Sequence, residues 1–413
     1  MKLGTDTGRA PYYRCTNCSS LPIQLPFKFC FYGKEYDTVY INNKGSLSFV
    51  HPDFDYSSKG LPAGNDTLLL DVFPGDIDNR YPNSFSAIYY KITSTHLIVQ
   101  WSTVGYSTFD DDLYDNFQVT ITNGNDSILP PGNNVSYCYW LMQWASADSS
   151  GGSNGFGGIP TSVGINKGDH VHCAQIGEFN YPGSAYAGPF NPNGGLYWLI
   201  NKSFIFNTCV TGNTIPPILI QQNNCDSIIL CAGDTTAFTV SFLCPQQGQT
   251  ATLLTYSPGL SGLTTTNSNA NSIYNANMKL IAAIKDIGIH TIHIVATDNS
   301  FPALKDSVEY TLIIKNCNKD TTAGISQITN TKGNFTVYPN PNKGVFTLQS
   351  SVLSGQWSVD IYNMLGEKVY SNHQITKSSN YQIDLSSQPS GMYFYLIKDT
   401  NGNMLGSGKF AIE

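Results

Sequence analysis

The feature that most narrows the fold is a set of short runs in which apolar and polar side chains alternate. The stretch 287–299 alternates and ends in the acidic turn Asp298-Asn299. Runs 86–92, 96–104 and 116–122 are rich in Ile, Val, Tyr, Trp and Thr, residues that fit a pleated, half-buried surface. Asn42-Asn43-Lys44-Gly45 and Asn123-Gly124-Asn125 lie between such runs and read as hairpin turns. Helical spacing is scarce. The best stretch, 277–287, leads straight into the alternating run and reads as strand and loop.

A chain of 413 residues suits several domains. Thr211 to Pro217, with Gly212, Pro216 and Pro217, suggests one boundary, and a polar stretch poor in large apolar residues suggests another. The expected organisation is all-β with three antiparallel domains: a larger N-terminal β-domain over 1–210 and two β-sandwiches over 211–317 and 334–413, with a linker at 318–333. Gly- and Ser-rich stretches at 147–158 and 183–195 read as surface loops, which often carry binding function.

Charged residues are only 12% of the chain, so Asn, Ser, Thr, Gly and Tyr supply solubility, as on extracellular β-proteins. The net charge is −7 and no Lys/Arg run occurs, which argues against nucleic acid or an anionic membrane as partner. No stretch approaches the roughly 20 apolar residues of a membrane span. The first ten residues lack the apolar segment of a leader, so the expectation is a fragment whose true start lies upstream. The even number of cysteines, Cys15, Cys18, Cys30, Cys138, Cys173, Cys209, Cys225, Cys231, Cys244 and Cys317, points to disulfides in an oxidising compartment. A zinc or redox role for Cys15-x-x-Cys18 is the alternative, and no second such pair exists.

Three resemblances follow from longer patterns. Val337 to Gly344 contains Pro339, Asn340 and Pro341. It is followed by Val359 to Gly366, by Asp384-Leu385-Ser386, by Gly391-Met392-Tyr393 and by Lys409. In this order at the C-terminus they resemble the sorting domain of the type IX secretion system of Gram-negative bacteria. That resemblance implies a small sandwich recognised by the export machinery and passage across the outer membrane. The stretch 20–207 resembles the nidogen extracellular (NIDO) domain, through Leu25-Pro26-Phe27-Lys28-Phe29, Val39 to Phe49, Asp71 to Asp78, Val99-Gln100-Trp101 and Asn116 to Val119. The region after Asp126 departs from the family by its length and Gly/Ser content. The resemblance implies cell–matrix adhesion and no catalytic activity. The middle segment, through 287–299 and the strand 307–315, is similar to an immunoglobulin- or cadherin-like module, in which an acidic residue at Asp298 would hold calcium.

Three groups of residues merit weighing for chemistry. Asp110, Asp111, Asp112 and Asp115 form the densest acidic group, and carboxylates this close lie in water or on a cation such as calcium. Asp76 and Asp78 alternate at a strand end and would reach a metal or cap a turn. His170 and His172 would share one face of a strand. Tyr137, Tyr139, Trp140, Trp144, Tyr181, Tyr186, Tyr197 and Trp198 cluster in the first domain; most belong in the core, and a few near the loops would meet a sugar or protein. Asp66-Thr67, Asp126-Ser127, Asp226-Ser227 and Asp306-Ser307, each before an apolar residue, resemble bacterial O-glycosylation acceptors. No Gly-x-Ser-x-Gly, His-Glu-x-x-His, Walker loop or Rossmann fingerprint occurs. The expectation is a non-catalytic binding or adhesion protein, extracellular or on the outer-membrane surface, exported by the type IX machinery. Its partner would be an extracellular protein or glycan; no cofactor is required, and calcium is the cation its acidic groups would take. The alternative is a secreted hydrolase or accessory module within 1–210 or in an upstream region.

Overall fold

A computed structural model describes residues 2–3, 15–54, 61–62, 67–80, 86–106, 110–147, 150–222, 227–317, 335–350, 356–376, 380–400 and 404–413. The linker expected at 318–333 lies outside them. The described chain is built from strands, with short 3₁₀ turns such as Leu196–Leu199 and Ile284–Asp286. It divides into two compact units, Met1–Cys317 and Asn318–Glu413.

In the first unit, alternation sets each strand's two faces. Along Ile23–Phe31, Leu25, Phe27, Phe29 and Phe31 turn inward. This strand closes a seven-stranded sheet that runs through Lys34–Asn42, Ser46–Ser48, Leu69–Asp71, Thr161–Asn166, Cys173–Tyr181 and Gly194–Gly195. The hairpin expected at 42–45 is present: Asn42 pairs with Ser46, and Gly45 turns back at φ +94°. A Cβ at Gly45 would lie 2.1 Å from the Phe73 carbonyl oxygen, so no other residue fits there.

Opposite stands an eleven-stranded sheet. Ala87–Ile92, His96–Tyr106, Asp110–Thr122, Val135–Leu141 and Lys202–Phe206 follow one another in it. Between the two sheets lies an aromatic core. Trp101 stacks on Phe117 at 5.0 Å, and Phe73 packs edge-on to Trp144. The buried phenols of Tyr137 and Tyr139 donate to the Gly164 and Val72 carbonyls at 2.9 and 2.6 Å.

The boundary expected at 211 is not a break in the structure. Lys202–Phe206 pairs with Ile218–Gln222, and the same sheet continues through Thr235–Leu243, Ile273–Ile281 and Leu263–Ala270. The reason is visible in the side chains at the joint. Phe204, Phe206, Ile218 and Ile220 fill the first core, while Ile205 and Leu219 on the other face fill a second core. The second core is closed by a four-stranded sheet of Ser227–Cys231, Lys305–Lys315, Gly288–Asp298 and Ala251–Tyr256. The shared sheet therefore serves two sandwiches. Almost all pairings are antiparallel; Ser227–Cys231 runs parallel to Thr311–Lys315, and Cys173–Tyr181 pairs in parallel with Gly194–Gly195.

Disulfides join Cys15 to Cys18, Cys30 to Cys209 and Cys231 to Cys317. Cys225 lies outside the described residues. Cys138, Cys173 and Cys244 are free thiols, which corrects the expectation of full pairing. The strand partners of Cys138 are Gln118 and Ser203, and that of Cys173 is Asn166, so no sulfur faces either of them. Burial, with a smaller push from Asp169, takes the Cys173 thiol up to about 11; burial and Asp298 take Cys244 up to about 12. Both remain protonated and unreactive at neutral pH.

The second unit packs a three-stranded sheet against a four-stranded one around Trp357, Phe346, Ile361, Tyr393 and Phe410. The expected sorting residues have structural duties in it. The Asn340 side chain accepts from the Ala411 amide at 2.9 Å, and the Asn342 carbonyl accepts from the Glu413 amide at 2.8 Å. The Pro339–Asn340–Pro341 turn is thus laced to the final strand, Met404–Ile412. Gly344, at φ +91°, lies where a Cβ would stand 2.5 Å from the Ser386 backbone. Gly366 takes φ +80° in the turn after Tyr362. Tyr393, beside Gly391, is buried and donates to the Pro389 carbonyl at 2.6 Å. Lys409 is exposed on the final strand, paired with Phe394.

Candidate functional site

Among the described residues, the acidic residues singled out in the sequence do not come together in a group of three or more that could hold a metal. Side chains of Asp110 and Asp111 lie outside the described residues. Asp112 is exposed and accepts from the Tyr106 hydroxyl at 3.4 Å. Asp115 sits an odd number of places along the strand and turns into the core, where Oδ1 accepts from the Gln143 and Trp144 amides at 2.7 and 3.3 Å. Burial pushes its carboxyl well above the usual range despite those two donors. Within the calcium group expected over Asp110–Asp115, the last member thus faces away from Asp112.

Asp76 and Asp78 are matched by protein cations rather than by a metal. Lys44, almost wholly buried, forms an ion pair with Asp76 and also donates to the Thr16 hydroxyl and the Ile77 carbonyl. Asp78 receives Nε and Nη2 of Arg80 at 2.9 and 2.6 Å. Burial opposes ionisation of Asp78, and the guanidinium outweighs it, holding the carboxyl below its usual range. Asp298 is likewise committed to a turn. Its Oδ1 accepts from the Ser300 amide, the Ser300 hydroxyl and the Leu304 amide, and its Oδ2 from the Gln249 side chain at 2.9 Å. His170 and His172 lie in a turn rather than on a strand, His170 at φ +62°. His172 pairs with Asp169 at 2.7 Å.

Of the aromatic residues, Tyr137, Tyr139 and Trp144 are core, whereas Trp140, Tyr181 and Tyr197 are exposed. Of the serine and threonine acceptors, Thr67 is buried at 3% exposure and so inaccessible to a transferase, while Ser127 and Ser307 are exposed. The side chain of Ser227 lies outside the described residues.

What the sequence did not single out is a groove of about 860 Å³ in the angle between the two sandwiches of the first unit. Its floor is the outer face of the shared sheet, with Ser203 and Gln221; one wall is the loop 124–132 and the other the strand Lys305–Lys315. The walls are tied together beneath the groove, where the Asn133 side chain donates to buried Asp306 at 3.1 Å. Two carboxylates open onto the groove. Asp126 accepts from the Thr95 hydroxyl and pairs with His96 at 2.6 Å. The Thr95 bond first and the His96 bond second hold its carboxyl down at about 2, so it is an acceptor at any physiological pH. Glu309 pairs with His293 at 2.9 Å, whose ring stacks on Tyr256 at 4.7 Å. Asn125, Ser127, Ser203, Gln221 and Thr311 add neutral donors and acceptors among glycine, proline and aliphatic residues, and among the described residues the lining contains no lysine or arginine. Its parts lie far apart in sequence and are individually ordinary; the only advance signal is the pair of continuous apolar runs at 204–206 and 218–220, which mark strands buried on both faces.

Family comparisons agree with the two resemblances at the ends of the chain. Residues 7–186 match the family model described as NIDO related, and residues 336–413 match that of the secretion system C-terminal sorting domain. The sorting domain makes this a protein sent through the type IX route to the exterior or the outer-membrane surface. The NIDO-related and sorting segments are non-catalytic types. No helix among the described residues is long and apolar enough to cross a membrane.

Alpha-tectorin of Mus musculus and that of Homo sapiens are each 24% identical to this chain over 189 residues. The match spans 40% of this chain and 8% of the relatives' length. Among solved structures, the Yersinia pseudotuberculosis adhesin InvE aligns at 11% identity and a TM-score of 0.15, over 45% of this chain and 56% of that one. Bacteroides ovatus SGBP-B, solved in complex with a mixed-linkage heptasaccharide, aligns at 12% and 0.14, over 45% and 43%. Scores this low establish neither fold nor function.

Proposed function

We propose that the chain is a non-catalytic surface or secreted binding protein that takes a glycan into the groove between its two N-terminal sandwiches. The observation that carries this reading is the lining. Hydroxyl and amide side chains with two acceptor carboxylates suit a polyhydroxylated ligand, which offers many donors and no net charge. The volume falls within the range of roughly 300–1,000 Å³ in which proteins hold small ligands. Asp126 is kept ionised, which suits an acceptor and not the proton donor a glycosidase requires. The NIDO-related match supports a role in adhesion, and the sorting domain supports delivery to where glycans are met.

The test is an array of glycans and matrix proteins probed with the full, oxidised chain, together with chromatography of any bound glycan after long incubation. Saturable binding of intact glycan supports the reading. Cleaved products would replace it with the hydrolase alternative, and selective capture of matrix proteins would move the ligand class to protein.

A further inference from the structure

The strand Leu263–Ala270 ends the eleven-stranded sheet, with Ile273–Ile281 on one side and no strand on the other among the described residues. The two form a hairpin whose turn, Asn271-Ser272, has left-handed φ of 50° and 64°, matching the twist of a two-residue connection. Gly262 accepts from the Ile281 amide, so by antiparallel alternation Thr264, Thr266 and Ser268 bond inward. The amides and carbonyls of Thr265, Asn267 and Asn269 then face away from the hairpin.

Natural sheets guard such edges with charge, proline, a bulge or brevity. Most other edges in this unit are guarded or short, the five-residue Ser227–Cys231 excepted. Ile23–Phe31 carries Pro26 and the Lys28–Asp37 ion pair. Lys2–Leu3 and Gly194–Gly195 are two residues long. At Ala251–Tyr256 the Leu253 carbonyl is capped by the Asn267 side chain at 3.0 Å. Leu263–Ala270 has none of these devices: its eight residues include no charge and no proline, its register has no bulge, and every side chain from Thr264 onward is exposed.

We infer that this edge is a dimerisation surface, on which the same strand of a second copy of the chain adds antiparallel about a two-fold axis at Thr266. The sequence of the strand names its occupant. Thr265 of one copy then faces Asn267 of the other, and the two exchange backbone hydrogen bonds on either side of the axis. Thr266 faces Thr266, and Thr264 faces Ser268, which are cross-strand hydroxyl pairs. No charge opposes its own copy, although the whole chain carries −7. The interface is polar and adds one sheet to another, the geometry of strand addition.

Sedimentation velocity on the full chain, from about 1 to about 100 µM, tests this against two variants. Thr265→Pro deletes one outward amide and leaves the inward ladder of the hairpin intact. Thr266→Lys sets two ammonium groups against each other at the axis. The wild-type chain is expected to dimerise, and each variant to dissociate at least about tenfold more readily with unchanged thermal unfolding. A wild-type chain that stays monomeric over this range overturns the inference. So does a dimer that survives both substitutions, which would lie elsewhere, or one lost only with unfolding of the variants. A monomer that instead captures an extended peptide of another protein at this edge would also overturn it.

Discussion

Asp306 joins the two sandwiches of the first unit through the Asn133 side chain. It is fully buried, accepts from the Asn133 side chain and the Ser307 amide, and has its carboxyl pushed up by burial to about 7. Its unfolded value is near 3.8, so between those two pH values the folded state keeps a proton that the unfolded state releases. This residue's contribution to stability is therefore full below the unfolded value, falls as pH rises toward 7 and is flat above it. Asp306→Asn, which keeps the Oδ1 acceptor, is expected to be more stable than wild type at pH 8, by at most about 4 kcal/mol and so with a higher unfolding temperature, and the difference is nearly gone at pH 4. Thermal unfolding at both values checks it. Gly45 gives a second prediction at this scale: Gly45→Ala must force a Cβ against the Phe73 carbonyl at a left-handed φ, and is expected to cost roughly 2–4 kcal/mol in denaturant unfolding.

At the scale of elements, alternation proved a sound guide where one face meets a core and the other meets water. The strand Gly288–Asp298 buries Ile292, Ile294 and Ala296, as its period-two pattern implies. The turn at 42–45 was equally legible, because an Asn-rich turn ending in glycine has few other uses. The continuity of the sheet across 211–217 was not legible, for a physical reason. Pro216 and Pro217 mark a connection, and nothing local says that the strands on its two sides pair with each other. The surroundings of the acidic pair were hidden for the same reason: Lys44 lies 32 residues from Asp76, and such a pair shows which cation it meets only once the chain is folded. The sorting unit was the most legible part, since its turn residues have tight backbone duties that tolerate few substitutes. The Cys30–Cys209 disulfide belongs to this scale as well. It ties the strand Ile23–Phe31 to the segment leaving the shared sheet across a separation of 179 residues. Its replacement by two serines is expected to destabilise the first unit by about 2–5 kcal/mol, read as a lower denaturant midpoint.

The whole chain joins a sorting domain to a two-sandwich unit whose shared sheet sets the angle between the sandwiches. Because Ile205 and Leu219 are buried in one core and Phe204, Phe206, Ile218 and Ile220 in the other, the two sandwiches are fixed by packing rather than tethered by a linker. A groove at such a joint keeps its shape, which lowers the ordering cost of holding a ligand by hydrogen bonds alone. The most direct test of the central claim is the affinity of the glycan found by array, measured by titration calorimetry for wild type, Gln221→Ala and Glu309→Gln. The account predicts at least about tenfold weaker binding in each variant, the effect of losing hydrogen bonds to a ligand held mainly by them, with unfolding unchanged. Unchanged affinity in both variants would contradict it and place the binding surface elsewhere on the molecule.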